Sequence, residues 1–441
     1  MFFLDKNTDL TTTILKKFIQ SFVTSELPRL NKLKNYYDGK QDILMKYYED
    51  RNKPCNKTVV NYCSGIVDNF NGYLAGVPVS YTSNEDISDI LKVLRYNDYK
   101  EEDSEFLKNA LIYGKAYEIS YLDEDGKIRF CVIDTRQGFP IYTDDLNKDL
   151  LYFVRIFPVD NLDILKGYHV EVYSKTTVDR FDMNDAYSNL RFIGCELHYF
   201  HQVPVTVFSL NRDEFSSFEK IIPMQDAYNK LISASEDDFE SFCDAYMVIR
   251  GMDVDDEELS KMKENRILLL SDDGEVSYLT KDIKDTALNN MLDELNGKIH
   301  RVSNSPDFGD ENFANASGIS LKYKLIGFEN TASSIATRFI KALQKRIELI
   351  STILYIKNSA VWRDINIVVS RNLPVDIAEV VDTVNGLKDI VSTKTLLSQI
   401  PFVLDVDMEM EEKDKEKEND NTNTNNEFVD TDENLFNKEV Q

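Results

Sequence analysis

Acidic clusters such as Glu236-Asp237-Asp238 are where this chain comes nearest to carrying out chemistry. Clustered carboxylates can hold magnesium, and bound magnesium can hydrolyse phosphodiesters. A metal-dependent nuclease is therefore the enzyme these residues offer; the competing reading is a solvated helix face. The histidines are His169, His198, His201 and His300. His198 and His201 stand three apart in a strand-like pattern, which puts them on opposite faces and suits no single metal. The histidines read as surface or half-buried side chains. Cys55, Cys63, Cys131, Cys195 and Cys243 are odd in number and form no CxxC pair. They fit buried thiols in a reducing compartment better than a disulfide framework or zinc site. No GxxxxGK[ST], GxSxG, HExxH or GxGxxG occurs, so no nucleotide motor or hydrolase signature is present. The expectation is no catalytic residue, no metal and no cofactor. Lys341, Lys345 and Arg346 form a small basic patch, read either as surface charge at helical spacing or as a contact for DNA phosphate.

The elements that must position these residues lie in a chain whose length admits roughly two to four domains and a sizeable core. Net charge is −26. Residues 405–441 hold 14 acids and 4 bases, leaving −16 on the rest, so the acidity is body-wide as well as terminal. That balance argues against sequence-reading DNA contacts, which need clustered Lys and Arg. The run Met1-Phe2-Phe3-Leu4-Asp5-Lys6 is too short for a signal peptide. No segment approaches about 18 apolar residues, so no membrane span is expected.

Residues 8–48 read as helical, with Leu10, Ile14, Phe18 and Phe22 in one stripe and Pro28 opening a second helix. A third helix spans about 59–75 and stops at Gly76 and Pro78. From residue 111 to 208 the pattern turns to short strands, read as an antiparallel region: 113–122 and 128–133 around Asp125-Gly126, then 150–157, 168–173, 177–181, 191–199 and 203–208. Helix resumes near Pro223 and runs toward Ala245. A compact β-rich unit follows, with strands at 246–250, 266–271 and 275–280, a turn at Asp273-Gly274 and a short helix at 255–263. The next helix starts near Thr286 as N-cap. Residues 303–317 are a polar loop around Phe308 and Phe313, able to flex at Gly309. One very long amphipathic helix then runs from about Ala316 to Lys357, ~63 Å, with a kink expected at Gly327. Trp362 reads as core. Residues 377–403 hold two short helices, the second capped by Ser392, and most of 411–441 reads as disordered.

Four stretches carry a family likeness: Tyr36-Tyr37-Asp38-Gly39-Lys40-Gln41; Val59-Val60-Asn61-Tyr62 through Asp68 to Gly76-Val77-Pro78-Val79; Ile222-Pro223-Met224-Gln225-Asp226-Ala227-Tyr228-Asn229 leading to Asp238-Phe239-Glu240; and Ser317-Gly318-Ile319-Ser320-Leu321-Lys322-Tyr323-Lys324. In this order they resemble the portal proteins of tailed bacteriophages, in the branch typical of phages of Gram-positive bacteria. The resemblance implies an α+β, mainly helical portal fold with wing, stem, clip and small crown. It maps the wing to 1–222, stem helices to 223–245 and 286–302, the clip to 246–285 and the tunnel loop to 303–317. The long helix with its return to the wing falls at 318–376, the crown at 377–404 and an acidic tail at 405–441.

It also implies a dodecameric ring at a capsid vertex in the virion, assembled in the host cytoplasm. Double-stranded DNA would pass non-specifically. The partners would be the terminase large subunit, a head-completion adaptor, and capsid and scaffolding proteins. An acidic wall repels phosphate, so the net charge suits DNA passage rather than DNA gripping. On this map Glu236, Asp237, Asp238, Asp293, Glu294, Lys298 and Arg301 would line the channel. Asp310, Glu311, Asn312, Phe313 and Asn315 would face DNA, and Asp255, Asp256, Glu257 and Glu258 would form a docking surface on the clip. The alternatives are another virion ring protein, such as an adaptor or connector, and the nuclease.

Overall fold

The computed structural model describes residues 2–48, 54–161, 164–184, 187, 189–243, 246–250, 275–279, 285–309, 318–354, 361–372, 377–388, 390–397, 400, 403, 406, 409–410 and 412–415. Asp255, Asp256, Glu257 and Glu258, the expected helix 255–263, the expected strand 266–271, the Asp273-Gly274 turn, and Asp310, Glu311, Asn312, Phe313 and Asn315 lie outside the described residues, as does the tail from 416 on.

The described elements run β1 (Phe2–Leu4), α1 (Thr12–Ser21), α2 (Leu27–Tyr37), α3 (Tyr62–Ala75), β2 (Ser80–Thr82), α4 (Ser88–Tyr96), α5 (Tyr99–Tyr113), β3 (Lys115–Leu122), β4 (Ile128–Ile133), β5 (Gly138–Thr143), β6 (Leu150–Asn161), β7 (Ile164–Tyr173), β8 (Thr177–Met183), β9 (Leu190–Leu197), β10 (Val205–Ser209), α6 (Ile222–Cys243), β11 (Tyr246–Arg250), β12 (Glu275–Leu279), α7 (Asp285–Ser303), α8 (Gly318–Ile353), α9 (Val361–Asp364), β13 (Asn366–Val368), α10 (Ile377–Leu387) and α11 (Thr393–Leu397). The fold is α+β. The chain divides into two compact units, one of residues 1–71, 105–119 and 131–339, the other of residues 72–104, 120–130 and 340–441.

In the first unit Thr11 caps α1 by accepting the Ile14 amide at 3.4 Å. One π-helical turn, Phe22–Glu26, leads into α2, where Pro28 sits in the first turn as expected. The main sheet has strand order β1-β5-β6-β7-β8-β9. It is antiparallel except at one edge, where β1 pairs parallel with β5. β5 to β9, within the expected 111–208 region, pair antiparallel as expected, and the parallel partner β1 lies outside it. β5 itself was not anticipated, because Gly138 and Pro140 break the strand pattern. Pro140 is tolerated because the register of β1 covers only Ile141, Tyr142 and Thr143. Tyr117, Ile119, Ile133, Phe153, Tyr173, Val203 and Val205 form a buried cluster between strands. Below it Lys115, 5 % exposed, sits 2.9 Å from both Glu26 and Glu214, the double pairing that a buried cation needs. The rings of Phe106, Phe208 and Phe339 pack together at tilted angles, with Phe208 5.5 Å from Phe106 and 5.4 Å from Phe339 between centroids.

In the second unit β2 and β13 pair antiparallel, and Asn97 ties to β4 through Ile128 O at 3.0 Å and the Phe130 amide at 3.1 Å. α4 and α5 were not anticipated from the sequence. Ile90 and Leu94 nonetheless bury one face of α4. Arg346 corrects the reading of a basic surface patch. It is fully buried, with Nη1 2.5 Å from Asp103 Oδ1 and its guanidinium 4.4 Å from the Phe130 ring. It is therefore no contact for DNA phosphate. Lys345 pairs with Glu348 at 2.9 Å. Trp362, expected in the core, is half-exposed, with Arg363 over its ring at 5.0 Å. Ser392 caps α11 by accepting the Thr395 amide at 3.3 Å. α8 is 36 residues long, which corresponds to ~54 Å, and it stays helical through Gly327. α7 begins at Asp285, so Thr286 lies inside the helix rather than capping it.

Candidate functional site

Gln225, Asn229, Ser233 and Asp237 recur every four residues on α6, so they form one stripe along the helix. A polar stripe normally faces water. Here Gln225, Asn229 and Ser233 are fully buried, because the stripe meets the extended segment 54–62. Alternate main-chain amides of that segment donate to successive members of the stripe. Tyr62 N–H reaches Gln225 Oε1 at 3.1 Å, Val60 N–H reaches Asn229 Oδ1 at 3.0 Å, Thr58 N–H reaches Ser233 Oγ at 3.0 Å and Asn56 N–H reaches Asp237 Oδ1 at 2.6 Å. The match is geometric. Four helical residues advance ~6.0 Å and two extended residues ~6.6 Å, so the two periods stay in step over four contacts.

The stripe is held from behind. Gln225 Nε2 donates to Val60 O at 2.6 Å, and Asn229 Nδ2 donates to Gln41 Oε1 at 2.5 Å. Gln41 Nε2 donates to Asn61 Oδ1 at 3.0 Å, and Tyr36 OH donates to Asp226 Oδ1 at 2.7 Å. Burial first, then the Asp226 carboxylate, push the Tyr36 hydroxyl far above its ordinary pKa. At the far end Lys46 Nζ lies 2.5 Å from Asp237 Oδ2. Burial works to raise the Asp237 pKa, but the Asn56 amide and the Lys46 ammonium outweigh it and hold the carboxyl below its usual range. Glu236 accepts the Thr58 hydroxyl. The structure thus engages Glu236 and Asp237 with Lys46, Asn56 and Thr58 of their own chain.

Asp238 on α6 and Asp293, Glu294, Lys298 and Arg301 on α7 are exposed. Glu294 lies 2.7 Å from Lys298, whose hydrogen bond lowers the Glu294 pKa. α6 and α7 pack against one another, and β11 and β12, between them in sequence, pair antiparallel. Among the described residues no group of three or more His, Cys, Asp or Glu side chains is placed to hold a metal ion. No described helix is long and apolar enough to cross a membrane.

Residues 16–423 match the family described as phage portal protein, SPP1 Gp6-like. The chain belongs to this phage portal protein family. It is 23% identical over 423 residues to the portal protein of Clostridium phage phiCD119, covering 88% of this chain and 93% of that one. It is 24% identical over 295 residues to the portal protein of Bacillus phage SPP1, covering 63% of this chain and 58% of that one. A solved structure described as the neck of a native GTA particle computed with C12 symmetry aligns at TM-score 0.44 with 12% identity, over 76% of this chain and 87% of that chain. A portal protein is a structural component of the phage particle and not an enzyme, and it forms the portal at a capsid vertex.

Three of the four stretches that resemble portal proteins meet in one place. Tyr36 and Gln41 from the first, Val60, Asn61 and Tyr62 from the second, and Gln225, Asp226 and Asn229 from the third are all members of the network. Two participants were missed in the sequence. Lys46 carries no local signal of its role, which appears only when the fold brings Asp237 to it. His300 reads as a bland half-buried histidine, yet its Nδ1 donates to Ser305 O at 2.9 Å. The signal available for the stripe was the four-residue repeat of Gln, Asn, Ser and Asp.

Proposed function

We propose that this portal protein acts as one of about twelve staves of a ring that conducts double-stranded DNA without gripping it. In this reading residues 1–222 form the wing, α6 and α7 the stem, 246–285 the clip, 303–317 the tunnel loop, α8 with its return to the wing 318–376, and 377–404 the crown. The single observation that carries the reading is the family match over residues 16–423.

The electrostatics support passage rather than binding. Asp238, Asp293 and Glu294 are exposed on the proposed stem, and every charge is repeated around a ring, so a few carboxylates set the field of the channel. Glu236 and Asp237 contribute less, because they are engaged with Thr58, Asn56 and Lys46. Lys298 and Arg301 offset the acids in a thin band near the loop. Asp310, Glu311, Asn312, Phe313 and Asn315 would meet DNA. Asp255, Asp256, Glu257 and Glu258 would present an acidic docking surface to the terminase large subunit, which supplies the motor, and later to a head-completion adaptor. Capsid and scaffolding proteins would surround the wing in the virion, after assembly in the host cytoplasm. Electron microscopy of the purified protein tests this: a turbine-shaped ring with an axial hole is expected, and a self-contained monomer would overturn it.

A further inference from the structure

The connection that leaves α7, residues 303–309, was expected to flex as part of one long loop, but the structure ties it to three helices. Asn304 closes α7 with φ at 54°, a left-handed conformation that Asn tolerates. Its Nδ2 donates to Thr331 Oγ1 on α8 at 3.1 Å. Ser305 is 1 % exposed, and its hydroxyl accepts Asn69 Nδ2 from α3 at 3.2 Å. Its carbonyl takes a hydrogen bond from His300 on α7 at 2.9 Å. A carbonyl only accepts, so His300 Nδ1 carries a proton. That leaves Nε2 toward Asp307, 3.7 Å away. Asp307 also accepts Asn296 Nδ2 from α7 at 3.1 Å and the Gly309 amide at 3.0 Å. Tyr62 packs edge-on against the His300 ring, 5.7 Å between centroids.

We infer that His300, Asn296, Ser305 and Asn69 are positioning residues that make 303–309 a fixed stalk. On the proposed channel assignment, the stalk fixes the end of α7 from which the rest of the tunnel loop begins. A buried serine bonded to two helices is costly to leave unsatisfied, so the stalk holds one position. The inference rests on the assignment of this loop to the channel.

The test uses assembled rings of the full chain carrying His300→Ala or His300→Asn. Asn keeps a donor where Nδ1 stood and loses the reach of Nε2. Limited proteolysis within 303–309 is measured alongside the fraction of particles that retain their genome. Cleavage that follows the opened population should rise roughly three- to tenfold in His300→Ala, rise less in His300→Asn, and be accompanied by lower genome retention. An unchanged cleavage rate in His300→Ala overturns the stalk. Faster cleavage with normal genome retention leaves the stalk standing and overturns the channel assignment beneath it. Should His300→Ala fail to assemble, Asn296→Ala supplies the same two readouts.

Discussion

Asp237 on α6 accepts the main-chain N–H of Asn56 across 181 positions of sequence, at 2.6 Å. The contact ends a column of four in which a helix reads the backbone of an extended segment through its side chains. It makes α6 and the segment 54–62 one mechanical piece. Replacing Asp237 with Ala should destabilise the protein by about 1–3 kcal/mol, since it strands the Asn56 amide and the Lys46 ammonium. Asp237→Asn should cost less, because it keeps an acceptor for the amide. Urea unfolding of the two variants checks the order.

The same carboxylate sets an acid limb. Its folded pKa is depressed, so its contribution is fully present above the unfolded value of about 3.9 and is lost as pH falls through the folded value. Stability measured from pH 6 down to pH 2 should therefore fall more steeply in the parent than in Asp237→Asn. Equal slopes would remove Asp237 from the account.

Arg346 and Asp103 form a buried pair, and breaking one partner leaves a charge without its counter-ion. Arg346→Met alone should cost about 3–5 kcal/mol, while Arg346→Met with Asp103→Leu should recover most of the loss. A double-mutant cycle in denaturant measures the coupling. Neither change should alter DNA retention by particles that still assemble.

Reversing exposed charge on α7 tests the conduit. Rings carrying Asp293→Lys and Glu294→Lys should bind duplex DNA at least about tenfold more tightly at low salt, with a steeper fall as salt rises. Binding measured across a salt series decides this; parent-like affinity would mean these side chains lie away from the duplex.

Two deletions separate assembly from transport. Removing residues 310–315 should leave ring formation intact and lower the yield of packaged genomes. Removing residues 412–441 should leave assembly unchanged. Particle counts and genome content distinguish the outcomes.

The amino-acid sequence alone determined what is local or periodic. The apolar stripe of α8, the Asp125-Gly126 turn between β3 and β4, Pro28 in the first turn of α2 and the Ser392 cap all depend on neighbours within a few residues, and all stand in the structure. The order of elements and the family likeness were legible for the same reason. Tertiary structure decided the fate of the polar groups. Arg346 carries the signature of a surface cation, and only Asp103 and Phe130, distant in sequence, make it a core residue. Glu236 and Asp237 look like solvated acids until Thr58, Asn56 and Lys46 arrive to use them. The burial of a charge depends on which partner the fold brings to it, and that partner is set by packing across the whole chain.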